Sequence, residues 1–168
     1  MSPPVNQPVG TTVAVFAGTF DPLTLGHLDL IQRAARLFPR LVVCVSAEGR
    51  STLFGAEERR GFVLQAVAGL AHVEVVLFRG LLVEEARRHG ARVLLRGVRG
   101  GKDLEAELPM AFANRQMDPG LDTLFLTPVP AYAQVSSSLV REVAALGGDA
   151  SAWVPPHVAE ALRRRLRP

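Results

Sequence analysis

Five short apolar runs recur along the chain, and most are followed by a segment of helical spacing. That alternation leaves few folds open. Val13–Ala17, Leu41–Ser46, Val73–Leu77, Arg92–Leu95 and Leu121–Leu126 are nearly continuous in apolar character. A strand buried on both faces reads this way, whereas a strand with one wet face alternates. Between the runs, Gly26–Phe38, Ala56–Leu70, Leu81–His89 and Lys102–Gln116 carry helical spacing. Ser136–Leu146 and a last helix opened by Pro156 follow the fifth run. Pro156 suits a first helical position, where no backbone donor is lost, and Gly90 suits the close of the third helix. Strands alternating with helices predict an α/β, doubly wound domain with a five-stranded parallel sheet, helices on both faces and C-terminal helices at the end. One domain over 13–168 takes up the whole pattern, with residues 1–12 (MSPPVNQPVGTT) as a loose leader.

Composition narrows the classes further. The 168 residues, 48% hydrophobic and 21% charged, suit one globular core. The apolar runs are too short to cross a bilayer. Residues 1–12 lack the basic start and apolar centre of an export signal, so a cytoplasmic location and no membrane partner are expected. Cys44 is the sole cysteine, which excludes an internal disulfide, and its strand-like setting predicts a small buried hydrophobe. Of the 19 basic residues only Lys102 is a lysine, and the net charge is +3. Arginine offers a rigid fork of donors that matches phosphate. Arg163, Arg164, Arg165 and Arg167 read as a solvated helix end near the negative pole of the dipole, and no nucleic-acid partner is expected.

In sheets of this kind ligands sit beyond the carboxyl ends of the strands. The segments to examine are therefore 18–27, 47–54, 78–82, 96–103 and 127–138. In the first, Gly18 admits close backbone approach, Thr19 offers a hydroxyl, Asp21-Pro22 turns the chain, and Gly26-His27 open a helix whose N-terminus favours anions. A protonated or donating imidazole there would stabilise charge on a phosphate; a histidine that merely bonds the loop is the alternative. Neither G-x-x-x-x-G-K-[ST] nor G-x-G-x-x-G is present. In LLRGVRGGKD, Arg96 and Arg99 can clamp phosphate bidentately. In YAQVSSSLVRE, Ser136, Ser137 and Ser138 bring hydroxyls and helix-start N–H groups to the same side. Arg50 either reaches a phosphate or is solvated. Asp21, Asp103 and Glu107 are the acids nearby, and no histidine or cysteine spacing suggests zinc. The chemistry implied is phosphate handling by positioning and electrostatics rather than covalent catalysis.

Thr24-Leu25-Gly26-His27 resembles the signature of the (H/T)xGH nucleotidyltransferase superfamily, and Ser136–Ser138 resemble its companion serine motif. The finer pattern resembles the phosphopantetheine adenylyltransferase family. It comprises GTFDP, RG-x-R after the fourth run, Glu107–Arg115 and SSSLV-[KR]-E, and spans Val13 to the C-terminus. The resemblance implies a Rossmann-like nucleotidyltransferase fold, a homohexamer, Mg²⁺ as cofactor and feedback binding of coenzyme A. It implies transfer of the adenylyl group of ATP to 4′-phosphopantetheine, by in-line attack without a covalent enzyme intermediate, giving 3′-dephospho-CoA and pyrophosphate. His27, Thr19, Arg50, Arg99 and Ser137 would be catalytic by this resemblance. ATP would meet Thr19, Phe20, His27, Gly97, Val98, Arg99, Glu107, Tyr132, Ala133, Gln134, Val135, Ser136, Ser137 and Ser138. Phosphopantetheine would meet Thr19, Arg50, Leu82 and Arg96; no metal ligand is read. Three departures stand out. Arg50, or Ser51 on a one-residue shift, holds the place of the usual lysine, Ala17 that of a common proline, and Leu25 that of a common asparagine. Two other readings stay open: a sibling nucleotidyltransferase using nicotinamide mononucleotide or glycerol phosphate, and a non-catalytic nucleotide- or RNA-binding module. RG-x-R with SSSLV-[KR]-E speaks against the siblings.

Overall fold

A computed structural model describes residues 12–48 and 51–166. Five strands, β1 (Val13–Gly18), β2 (Arg40–Ser46), β3 (Val73–Phe78), β4 (Ala91–Gly97) and β5 (Asp122–Leu126), alternate with α1 (Leu25–Leu37), α2 (Ala56–Ala66), α3 (Leu82–Arg88) and α4 (Gly101–Met117). Two more helices, α5 (Ser137–Ala145) and α6 (Pro156–Leu166), follow β5. All neighbouring strands pair in parallel, in the order β3-β2-β1-β4-β5. The predicted doubly wound α/β sheet is therefore present. The chain runs outward from β1 to β3, then crosses back to β4 on the other side of β1. The β1/β4 boundary is thus the topological switch point, where a crevice opens beyond the strand ends.

The central strands divide their side chains between two cores, as the two-residue period of a strand requires. Ala14 and Phe16 of β1, with Leu41, Val43 and Val45 of β2, face the larger core; Val15, Ala17, Val42 and Cys44 face the smaller one. The larger core is closed by α1, α2, α5 and α6 through Leu30, Ile31, Val63, Val140, Val158 and Leu162. The smaller is closed by Val83 and Ala86 of α3. Cys44 is fully buried, and that burial, with the nearby carboxylates of Glu85 and Glu74, pushes its thiol up to about 12. It is the inert hydrophobe expected from the sequence. None of the described helices is long and apolar enough to cross a membrane.

Several element bounds differ from the sequence reading for local reasons. The second helix ends at Ala66 rather than Leu70: Val67 caps it, and the Leu70 N–H turns back to the Val67 carbonyl across Gly69. The fourth strand extends to Gly97, because Arg96 and Gly97 pair with Phe125 and Leu126 of β5. Arg96 therefore sits on a strand and only Arg99 lies in the loop. The fifth run is not a doubly buried strand. β5 is one edge of the sheet and has no buried residue, α4 beside it buries only Asn114, and β3, the other edge, buries only Val75. Gly90 closes α3 with φ +65, and Pro156 is the first residue of α6, both as the sequence indicates.

The β1–α1 connection is held tightly. Phe20 adopts φ +50, a left-handed conformation that costs a bulky residue energy, and it turns a 2% exposed ring back beneath Gly18. A Cβ on Gly18 would lie 2.9 Å from Phe20 Cζ, and the ring is packed edge-on against Phe16 with centroids 5.9 Å apart. Gly18→Ala should therefore cost about 1–3 kcal/mol of stability by overpacking. Urea unfolding checks this, and an unchanged midpoint would show that the ring has room to move.

Candidate active site

A cavity of about 550 Å³ opens at the switch point, beyond the ends of β1 and β4. Its wall takes Gly18–Asp21, Thr24, Gly26 and His27 from the first connection, Ser51 and Thr52 from the second, and Arg96, Gly97 and Arg99 from β4 and its loop. Asp103 and Glu107 come from α4, and Tyr132, Val135–Ser138 and Arg141 from the segment around the start of α5. Segments distant in sequence thus meet on one side of the sheet.

His27 is placed by a reciprocal cap. Thr24 is the N-cap of α1; its Oγ1 accepts the His27 N–H at 3.3 Å, while the His27 Nδ1 accepts the Thr24 N–H at 3.2 Å. The histidine fills the place that Glu or Gln takes in the usual capping box. A backbone N–H can only donate, and the Thr24 hydroxyl, 3.0 Å from Nδ1, is free to donate there as well; with Nδ1 accepting, the neutral ring carries its proton on Nε2. Phe20 holds the ring edge-on, centroids 5.2 Å apart. Burial, then the positive charges of Arg99 and Arg96, push the imidazole down to about 4. The positive end of α1 acts in the same direction. Of the two forms the sequence left open, protonated or donating, the structure favours a neutral ring that donates.

The cavity's arginines are already paired. Arg96 donates from Nε and Nη2 to both oxygens of Glu107, each at 2.7 Å, and from Nη1 to the Ala17 carbonyl at 2.7 Å. Arg99 holds Asp103 by the same fork, at 2.7 and 3.0 Å, and its own N–H binds that carboxylate too. These bonds pull the Asp103 carboxyl below its ordinary range. Asp103 and Glu107 lie four apart on α4, so one helix face supplies both partners. An entering phosphate would have to compete with these carboxylates for the same forks. The serines are partly committed as well: Ser136 caps α5 by accepting the Leu139 N–H at 3.0 Å, and Ser137 donates to the Pro22 carbonyl at 2.8 Å.

Most residues singled out in the sequence line the cavity: Thr19, Phe20, His27, Arg96, Gly97, Arg99, Glu107, Tyr132, Val135, Ser136, Ser137 and Ser138. Phe20 does so although the residue as a whole is only 2% exposed. Val98 is buried at the end of β4, Ala133 and Gln134 lie off the wall, and Leu82 packs toward the smaller core. Arg50 lies outside the described residues, while Ser51, the alternative at that place, is in the wall. Thr52, Arg141 and Arg59 were given no role from the sequence. Arg141 donates to the Asp21 carbonyl and lies 3.6 Å from its carboxylate. Its place in SSSLV-[KR]-E is the sequence signal. Arg59 is 1% exposed and grips three backbone carbonyls. Its signal is an arginine falling on the buried stripe that continues at Val63 and Val67.

Comparison with known proteins bears on the same surface. A family described as cytidylyltransferase-like matches residues 15–143. The chain is 50% identical over 154 residues to the phosphopantetheine adenylyltransferase of Methylococcus capsulatus, covering 91% of this chain and 95% of that one. It is 47% identical over 156 residues to the same enzyme of Thermotoga neapolitana, covering 92% and 97%. Among solved structures, a nicotinate-nucleotide adenylyltransferase from Vibrio parahaemolyticus superposes with a TM-score of 0.68 over 92% of each chain, at 16% identity, a likeness of fold.

The His27 geometry has a titration consequence. Because its pKa lies below the 6.5 of a free imidazole, the contribution of the neutral ring to stability is complete above pH 6.5 and is lost as pH falls towards 4. Imidazole ¹⁵N spectra should show the Nε2–H tautomer from pH 7 down to about pH 5. A protonation midpoint near 6.5 would contradict the half-buried, arginine-flanked setting.

Proposed function

The chain belongs to the phosphopantetheine adenylyltransferases of the cytidylyltransferase-like family, and from that membership we propose its reaction and mechanism. It transfers the adenylyl group of ATP to 4′-phosphopantetheine, giving 3′-dephospho-CoA and pyrophosphate, a step of coenzyme A biosynthesis. The observation that carries the mechanism is the neutral His27 donor, held by the Thr24 cap at the mouth of α1 and flanked by Arg96 and Arg99.

In the proposed step a phosphate oxygen of 4′-phosphopantetheine attacks the α-phosphorus of ATP in line. A new P–O bond forms as the bond to the bridging oxygen breaks, and pyrophosphate leaves with that electron pair. The attacking phosphate is already anionic, so no general base is required. Negative charge builds on the α-phosphate oxygens, and a donor preorganised there, the Nε2–H of His27 with the N-terminus of α1, lowers the barrier. Arg99 and Arg96 exchange their carboxylates for substrate phosphates. Ser136–Ser138 and Tyr132 bound the ATP side, and Thr19 with Ser51 and Thr52 the acceptor side. The places given to Leu82, Val98, Ala133, Gln134 and Arg50 by the family resemblance stay in the proposal as substrate contacts without a step of their own.

Mg²⁺ fits this chain as an escort of ATP and not as an ion in a protein cage. The cavity acids are engaged, Glu107 and Asp103 by arginines and Asp21 by two backbone N–H groups. Among the described residues no group of three His, Cys, Asp or Glu could hold a metal. Mg²⁺ commonly rides on nucleotide phosphates and water, where it would offset their negative charge. Coenzyme A carries the adenylate and pantetheine parts of the product and would compete for the same cavity, which is the proposed basis of feedback. A homohexamer is proposed from the family membership; Met110 and Phe112 of α4 and Leu124 of β5, 58%, 67% and 45% exposed, leave apolar side chains for such an assembly to cover. A cytoplasmic setting is proposed along with this reaction.

Pyrophosphate release should be seen with ATP and 4′-phosphopantetheine, and not with nicotinamide mononucleotide or glycerol phosphate in its place; the reverse pattern would sink the substrate assignment. His27→Ala should lower kcat by about 10²–10³-fold, the scale for one lost transition-state donor, with KM values little changed. Near-normal turnover would remove His27 from the mechanism. Light scattering should give about six times the 18.1 kDa chain, and a monomer would contradict the hexamer.

A further inference from the structure

Arg59 is a buried cation with no part in the chemistry just described. It lies on the inner stripe of α2 and is 1% exposed. Burial of this kind disfavours the charged form, and its pKa is drawn down accordingly. Such a charge persists only when its donors are well satisfied. Here they are met by backbone carbonyls: Nε donates to Phe54 at 3.1 Å, and Nη1 donates to Ser46 at 2.8 Å and to Thr19. The three acceptors come from three segments: the turn before α2, the end of β2 and the β1–α1 connection.

The same turn is gripped from its other side. The Asp21 carboxylate, 3% exposed, accepts the N–H groups of Leu53 at 2.8 Å and Phe54 at 3.0 Å. The turn is therefore pinned by its N–H groups to Asp21 and by its carbonyl to Arg59, while Arg59 also holds Thr19, two residues before Asp21. Ser51 and Thr52, which line the cavity, lie immediately before the pinned turn; Thr19 lines it from the other segment. From the ATP side, Arg141 and Ser137 of α5 hold the carbonyls of Asp21 and Pro22, but among the described residues no side chain of β4, α4 or α5 bonds Arg59 or the Leu53–Phe54 turn.

We propose that Arg59 is a positioning residue for the acceptor: by joining the carbonyls of Thr19, Ser46 and Phe54 it sets the distance between the Ser51–Thr52 wall and the Thr19–His27 wall. The incoming phosphate is thereby held in line with the α-phosphorus. The inference rests on the adenylyl-transfer reading. A lysine does not substitute, because its three donors radiate from one point on a flexible stem, whereas the guanidinium spreads its donors along a rigid edge. In-line transfer is sensitive to displacements of about 1 Å, which can cost on the order of 10²-fold in rate.

The test uses the full chain with Arg59→Lys and, because that variant risks misfolding, Asp21→Asn, which loosens the same turn from its N–H side while keeping volume and one oxygen acceptor. Each is assayed by pyrophosphate release with whichever acceptor the wild type consumes, varying ATP and acceptor separately, and melting temperature is recorded alongside. Expected for both variants is a fall in kcat of about tenfold or more. The acceptor KM should rise several-fold, while the ATP KM stays within about twofold. A lower melting temperature with kcat and both KM values unchanged would make Arg59 purely structural and overturn the proposal. An ATP KM that rises as much as the acceptor KM would overturn it too. Turnover by the wild type with another acceptor but not with 4′-phosphopantetheine would defeat the substrate reading alone, since the kinetic split is then judged on that other acceptor.

Discussion

One hydrogen bond sets the character of the site: the Thr24 backbone N–H donating to His27 Nδ1. It fixes the tautomer, and with it the one proton the ring can offer. Because the donor is main chain, it cannot be exchanged by a change of side-chain protonation. The bond exists only because α1 begins at Leu25, directly after a turn that Gly18, the left-handed Phe20 and the pinned Asp21 hold in place. The sheet order then delivers the rest, since only at the β1/β4 switch point do Arg96 and Arg99 come beside that helix start.

The electrostatics around His27 divide the labour. Burial first, and then the positive charge of Arg99 and Arg96, keeps the imidazole neutral, while Glu107 and Asp103 hold those arginines in bidentate forks. The arginines are thus ordered before a phosphate arrives, so little side-chain entropy remains to be lost on binding. What binding demands instead is exchange of one anion for another. On the proposed function, a ligand with several phosphate groups is expected to replace both carboxylates better than a singly charged one.

The sequence made the sheet and the switch point legible because both are written in local, periodic patterns: buried strands are continuous in apolar residues, and a helix follows each of the first four. The motif residues at strand ends, from Thr19 to Ser138, were legible for the same reason. What escaped depends on contacts across long separations. Arg96 and Gly97 read as loop because their strand character comes from pairing with Phe125 and Leu126. The fifth run read as doubly buried because nothing local marks β5 as an edge. Arg59 and Arg141 passed unassigned because their partners, Thr19 and Asp21, lie 40 and 120 residues away. The pairing of Arg96 with Glu107 was hidden too, since each was read as a separate ligand contact.

The mechanism proposed for this site works by positioning and a neutral donor, with no protein nucleophile. The stereochemical course at phosphorus tests this most directly. With ATP made chiral at the α-phosphorus by sulfur substitution, a single in-line displacement by the acceptor phosphate should invert the configuration in the product. Retention would mean two displacements through an adenylyl group carried on the protein, and would contradict the mechanism.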